Sequence, residues 1–384
     1  MWPAARVPLR SRCTILLQAE LFPFLQDVLG PLTPLHRNLA VALDMVGIET
    51  MLHHWTGLPG RPQAERAALG RAFIAKAVFN LPTTRMLIER LSVDPTLRHL
   101  CGWSRRGEVP HEATFSRAFA EFANSALPSR LHEALITETQ GERMIGHISR
   151  DATAIEGREK PVRKPAPETP KVARKRGRPK KGEAPPTKAP RRIEKQAAGM
   201  SLEAMLADLP NACDVGLKRN AKGHQETWIG YKLHIDTADG DIPISCILTS
   251  ASVHDSQVAI PLAVMTHSRV QNCYDLMDAA YDVPEIAAHS RSLGHVPIID
   301  INPRRTPGLK QALTDEAKAQ RFAGHTTAEA TRYHQRSSAE RVNSALKDNY
   351  GGDAVRVRGP EKVMAHLMFG VIAVTVAQVM RLIQ

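Results

Sequence analysis

With 384 residues the chain exceeds the usual size of one domain, so two domains with connecting segments and a sizeable core are expected. A formal net charge of +12 and a pI near 9.7 point to a polyanionic partner, nucleic acid first. Five dispersed cysteines, Cys13, Cys101, Cys213, Cys246 and Cys273, contain no CxxC pair, which argues against disulfides and structural zinc.

Residues 1–37 carry little signal. Arg6, Arg10 and Arg12 precede Ile15-Leu-Leu, but Gln18 and Glu20 interrupt the apolar run, so a secretory leader is not expected and the protein is placed in the cytoplasm, with the nucleoid. From 38 to 142 the pattern is helical, with apolar groups around Leu39, Leu69 to Phe79, Met86 to Leu91 and Phe115 to Leu127, divided by Pro59-Gly60, Pro82, Pro95 and Pro110. Pro110 ends one helix, and Glu112 and Thr114 are candidate cap and dipole partners for the next.

At residue 143 the texture changes. Met144-Ile-Gly-His-Ile-Ser-Arg reads as a short strand ending in Asp151, and residues 143–158 and 199–384 are assigned to one α/β domain. Between them, residues 159–198 form a basic insertion. Residues 159–195 hold 14 Lys/Arg against 4 Asp/Glu and eight prolines, which predicts an extended, disordered tether and leaves the rest of the chain nearly neutral. Its centre, Arg176-Gly177-Arg178-Pro179, resembles an AT-hook. In such an arm the glycine permits close approach to the minor-groove floor and the arginines exploit the negative potential there.

Thr227 to Asp236 and Ile242 to Thr249 flank an Ala-Asp-Gly-Asp turn and read as a hairpin. Asp255 is placed at the start of a helix running to about His267, with His254 assigned to local hydrogen bonding. Tyr274 to Asp278 is a strand, Tyr281 to Leu293 a helix capped by Asp282, and His295 to Asp300 another strand. The order fits a ribonuclease-H-like α/β core with a mixed sheet, behind an all-α N-terminal domain.

Tyr333, Arg336, Glu340 and Lys347 then follow at steps of three, four and seven, so one helix should carry them in a stripe opposite Ala339, Val342 and Leu346. A carboxylate beside an aromatic hydroxyl and two cations suits a metal ligand next to a phosphate backbone. The uncharged stretch from Met364 to Met380 is expected to be a buried helix, not a membrane span.

The Y-(2)-R-(3)-E-(6)-K spacing resembles the signature of bacterial insertion-sequence transposases of the DDE type, in the insertion-sequence four/five-like groups. Asp151-Ala-Thr and Met277-Asp278-Ala-Ala-Tyr-Asp282 resemble the family's two aspartate motifs, with Ala280 where glycine is usual. Ala72 to Phe79, Leu87 to Leu91, Asp94 to Arg98 and Val109 to Phe119 resemble its helical, DNA-end-binding domain. The resemblance implies that Asp151, Asp278 and Glu340 are the catalytic acids and hold two Mg²⁺ ions, with Mn²⁺ as a substitute. Tyr333, Arg336 and Lys347 would lie on DNA. Arg304, Arg305 and Lys310 are a further basic patch suited to phosphate. The implied partners are double-stranded DNA, as terminal inverted repeats and target, and a second copy of the chain in a dimer or higher oligomer on DNA. The implied reaction is cleavage at the element ends and strand transfer. The rival readings are a catalytically silent DNA-binding descendant and a metal-dependent nuclease that cuts without joining.

Overall fold

A computed structural model describes residues 27, 30–52, 64–162, 190–219, 223–303, 308–324 and 326–383. The AT-hook-like Arg176, Gly177, Arg178 and Pro179, and also Arg304 and Arg305, lie outside them.

Among the described residues six α-helices come first. They are α1 (Pro34–Val46), α2 (Arg66–Val78), α3 (Thr84–Val93), α4 (Pro95–Cys101), α5 (Glu112–Asn124) and α6 (Leu127–Gln140). Local chemistry sets their ends. Thr33 accepts a bond from His36 N and Pro34 pre-sets the first turn, so α1 begins four residues before its apolar periodicity does. Gly47, at φ 51, ends it in the left-handed region. Thr83 and Asp94 cap α3 and α4. The start of α5 corrects the expected cap: His111 accepts from Ala113 N, while Glu112 occupies the first turn as dipole partner.

The sheet begins with β1 (Met144–Glu156). Asp151 is therefore inside the strand, not at its end, because antiparallel pairing with a later strand continues from Ile148↔Ala238 to Glu156↔Gly230. The C-terminal end of the basic insertion is also corrected. Residues 192–197 form α7 (Arg192–Ala197), whose Ile193 packs with Ala259, Ile260, Met277 and Tyr281. The stretch after Pro190 has no proline, so nothing there opposes a helix with an apolar anchor. Two further elements lacked a sequence signal: α8 (Leu202–Asp208) and the short β2 (Asp214–Arg219).

The hairpin follows as β3 (Gln225–Ala238) and β4 (Ile242–Ser250), its turn carrying Gly240 at φ 86 and Asp241 at φ 60. Then come α9 (Ala259–His267), β5 (Gln271–Met277), α10 (Pro284–Ser292) and β6 (Val296–Ile299). Across the sheet the order is β4-β3-β1-β5-β6, with β2 pairing the first half of β3. The β1–β3–β4 part is antiparallel and β1–β5–β6 is parallel, which is the mixed, ribonuclease-H-like arrangement expected.

The chain closes with α11 (Leu309–Ala323), α12 (Ala328–Tyr333), a 3₁₀ turn at His334–Arg336, α13 (Ser337–Asn349) and α14 (Pro360–Ile383). Among the described residues α14 is the one helix long and apolar enough to cross a membrane, and it is mostly buried. One side of it, with Phe369, Ile372 and Val376, joins the core of α1 to α6, where Phe73 meets Phe115, Phe119, Phe122 and Phe369 at 5.0–6.2 Å between ring centres. The other side, with Val363, Leu367, Val371 and Val374, joins the sheet's core beside Tyr231, Leu233 and Leu346.

Candidate active site

β1 and β5 run side by side only as far as Ser149↔Leu276. Beyond that point β1 keeps β3 on one edge and loses β5 on the other, so the sheet opens. Asp151 stands two residues past the last parallel pair, and Asp278 is the first residue after β5. The topology thus brings two aspartates 127 positions apart in sequence to one opening.

Each is held by its own surroundings. Asp278 Oδ1 accepts from Ala280 N at 2.9 Å and caps the 3₁₀ turn Ala279–Tyr281. Ala280 has no left-handed backbone angle, so replacing the family's glycine costs nothing in the turn. Asp151 Oδ2 accepts from Asn343 Nδ2 at 3.0 Å, which ties β1 to α13. Burial, with the Asp278 charge adding to it, pushes the Asp151 carboxyl up to about 6. Asp278 is likewise raised, by burial first and by the Asp255 charge. Asp255 starts a short 3₁₀ turn ahead of α9; its carboxylate pairs with Lys232 Nζ at 2.9 Å. His254 Nδ1 bonds Ser256 Oγ at 2.9 Å, the local role expected. Asp282 does not cap α10, which starts at Pro284; it accepts from Asn302 N at 3.0 Å.

The stripe from Tyr333 to Lys347 is not one regular helix. The 3₁₀ turn at His334–Arg336 separates α12 from α13, and Ser149 Oγ fixes it to β1 by donating to Gln335 O at 3.3 Å. Three of the four residues still form a chain. The Arg336 guanidinium lies 5.8 Å from the Tyr333 ring centre and its Nη2 pairs with Glu340 Oε1 at 2.6 Å. Burial and the nearby Asp300 raise the Tyr333 phenol, which leaves it a neutral donor. Lys347 lies on Glu340's side of α13, but seven residues on, about 10 Å along the axis.

Glu340 is exposed, at 55% of its side chain, and directed to Arg336. Among the described residues no three His, Cys, Asp or Glu side chains converge at metal-ligand distance. The donors present are nevertheless all hard carboxylate oxygens. Two of them are raised by burial and like charge, which a bound cation would relieve. Asn343 lies one turn beyond Glu340 on the buried side of α13, so Glu340 stands at the exposed edge of the helix face docked on Asp151. Sequence reasoning passed over Asn343 and Asp255. The first was legible from its i+3 spacing to Glu340, whereas the second read as a helix start.

Residues 200–376 match the family described as transposase DDE domain, and residues 27–121 the family described as transposase domain (DUF772). The chain belongs to the insertion-sequence DDE transposases. No curated protein and no solved structure gives a significant match. As a DDE transposase the protein acts on DNA, and its catalytic domain is of a nucleotidyl-transfer type that works with divalent metal ions. Asp278 and Glu340 lie inside the matched DDE stretch. Asp151 falls in the interval between the two matches, ahead of the basic stretch at 159–198.

Proposed function

We propose that this transposase binds the terminal repeats of its element, hydrolyses the 3′ strand at each end and joins the freed 3′-hydroxyls to target DNA. The supporting observation is the meeting of Asp151 and Asp278 where β1 and β5 part, with α13 docked alongside through Asn343. Asp151, Asp278 and Glu340 would hold Mg²⁺, with Mn²⁺ able to replace it. Two such ions supply activation of the attacking oxygen and stabilisation of the leaving one.

The chain's own residues do the rest. Arg336 is the pivot, since a DNA phosphate is a rival acceptor for the guanidinium that now holds Glu340. Phosphate arrival releases Glu340 toward Asp151 and Asp278, so the carboxylate set is completed by the substrate. Tyr333, neutral and beside Arg336, donates to the same backbone, and Lys347 meets it further along α13. The AT-hook-like Arg176 to Pro179 adds minor-groove affinity. Two ends must be cut together, so a dimer or larger assembly on DNA is the working form.

The test uses the full chain, Mg²⁺ and labelled DNA carrying the element's ends. Wild type should cleave and join, and a chelator should stop both. Asp151→Ala, Asp278→Ala and Glu340→Ala should each bind the ends yet lose at least about a hundredfold in cleavage rate. A Glu340→Ala protein that binds and cleaves like wild type would sink the mechanism. Cleavage without joining of pre-cut ends would instead make the enzyme a nuclease.

A further inference from the structure

A cleft of about 380 Å³ lies between α2, α5 and the approach to α14. Five cations reach its wall: Lys76, Arg158, Arg356, Arg358 and Lys362, with no Asp or Glu among the lining side chains. Phe73, Phe119 and Phe369 supply an apolar floor and Tyr350 closes one side. Lys76 is the deepest cation. Burial lowers its ammonium to about 8, and no carboxylate offsets this among the described residues. An anion in the cleft would.

The cleft is remote from the carboxylates. Tyr350 stands ten residues beyond Glu340, about 15 Å along α13, and Arg158 seven residues beyond Asp151, about 23 Å along the strand direction. A second hollow, lined by Gly157, Arg158, Glu159, Lys160, Ile229 and Arg358, shares Arg158 and Arg358 with it. Its one acidic residue, Glu159, is engaged by the Tyr231 hydroxyl and by Gly359 N. The cationic track therefore runs from the cleft to Lys160, at the start of the basic insertion.

We propose that this cleft is a nucleoside-phosphate site, with a phosphate on the cations and a base against the apolar floor. Its volume fits one nucleotide, so DNA entering it must present an unpaired one. The ligand source is either such a unit of DNA or a free mononucleotide. Only the DNA source rests on the transposase reading above.

Binding of two probes to the full chain in divalent-free buffer separates the cases, because no cleavage is required. The probes are a fluorescent adenosine monophosphate analogue and a labelled duplex with a short unpaired 3′ end, with the same duplex blunt as reference. The variant is Arg356→Ala/Lys362→Ala, two exposed positions whose loss should leave the melting temperature unchanged. A DNA source predicts tighter binding of the unpaired-end duplex than of the blunt one. The double variant should then lose that preference, about tenfold in affinity, with a log–log salt slope shallower by roughly one to two. A free-nucleotide source predicts that the adenosine probe binds wild type and is lost tenfold or more in the variant. Affinities for both probes within twofold of wild type would overturn the proposal, even in a protein that cleaves DNA normally. Wild-type protein that binds the probes yet fails to cleave DNA in Mg²⁺ would count against the carboxylate mechanism alone.

Discussion

Asp151 carries a stability signature that follows from its place at the opening of the sheet. An aspartate in an unfolded chain titrates near 3.9, whereas this one is raised to about 6 by burial and by its neighbour Asp278. The folded protein thus holds the proton more tightly than the unfolded one. The group favours folding below about pH 4, and that contribution is lost as pH rises through 6. At pH 8 without metal the ionised carboxylate should cost about 1–3 kcal/mol, the range set by partial exposure. Asp151→Asn should therefore melt higher than wild type at pH 8 in chelator and nearly level with it at pH 4. Added Mg²⁺ should raise the wild-type melting temperature and leave the variant's in place. An Asn variant that melts lower at pH 8 in chelator would show that the hydrogen bond from Asn343, not burial, dominates this carboxyl.

At the scale of elements, β1 holds a feature its sequence hides. Arg150, next to Asp151, points to the opposite face of the strand and is fully buried. Its Nε and Nη2 grip Asp236 of β3 at 2.8 and 2.7 Å, and Thr266 of α9 donates to the same carboxylate at 2.7 Å. One ion pair thereby joins two strands and the covering helix directly beneath the site. Asp236→Ala strands a buried guanidinium and should cost about 3–5 kcal/mol in denaturant unfolding. Thr266→Val, which leaves the pair intact, should cost about 1 kcal/mol. A loss below 1 kcal/mol for Asp236→Ala would mean that the arginine finds water or another acceptor. Such long-range pairs explain what was legible and what was not. The hairpin, β5, β6 and the amphipathic α13 have patterns that a single sequence displays, and Asp278 follows a strand legible from Tyr274 to Met277. The length of β1 past Asp151 depends on pairing with β3, over 70 residues away, and its sequence there, Ala-Thr-Ala-Ile-Glu, has one large apolar residue and no apolar run. The 3₁₀ break at His334–Arg336 is likewise set by docking on Ser149. Neither leaves a local mark.

At the scale of the whole molecule, α14 decides whether the helical region and the sheet behave as separate units. Its residues alternate between two cores, Phe369 and Ile372 to one, Leu367 and Val371 to the other. At Gly370 there is no room for a side chain, since a Cβ would lie 2.6 Å from Tyr350 O and 2.8 Å from a Leu346 methyl group. The helix therefore presses on the end of α13 as well, and so on the element that bears Glu340. A chain joined this way should unfold as one unit, helical region and sheet together. Trp103 is buried in the helical core and Trp228 lies on β3, where its Nε1 donates to Tyr231 O at 3.0 Å. Chains keeping one or the other as sole tryptophan report on each region separately. Their denaturant midpoints should coincide. Phe369→Ala, which removes a ring packed on Phe73 and Phe119, should destabilise both by the same amount, about 3–5 kcal/mol. If only the Trp103 midpoint moved, α14 would be a terminal helix of the first region resting on the sheet. DNA held by the helices would then not be positioned through α14 against the carboxylates.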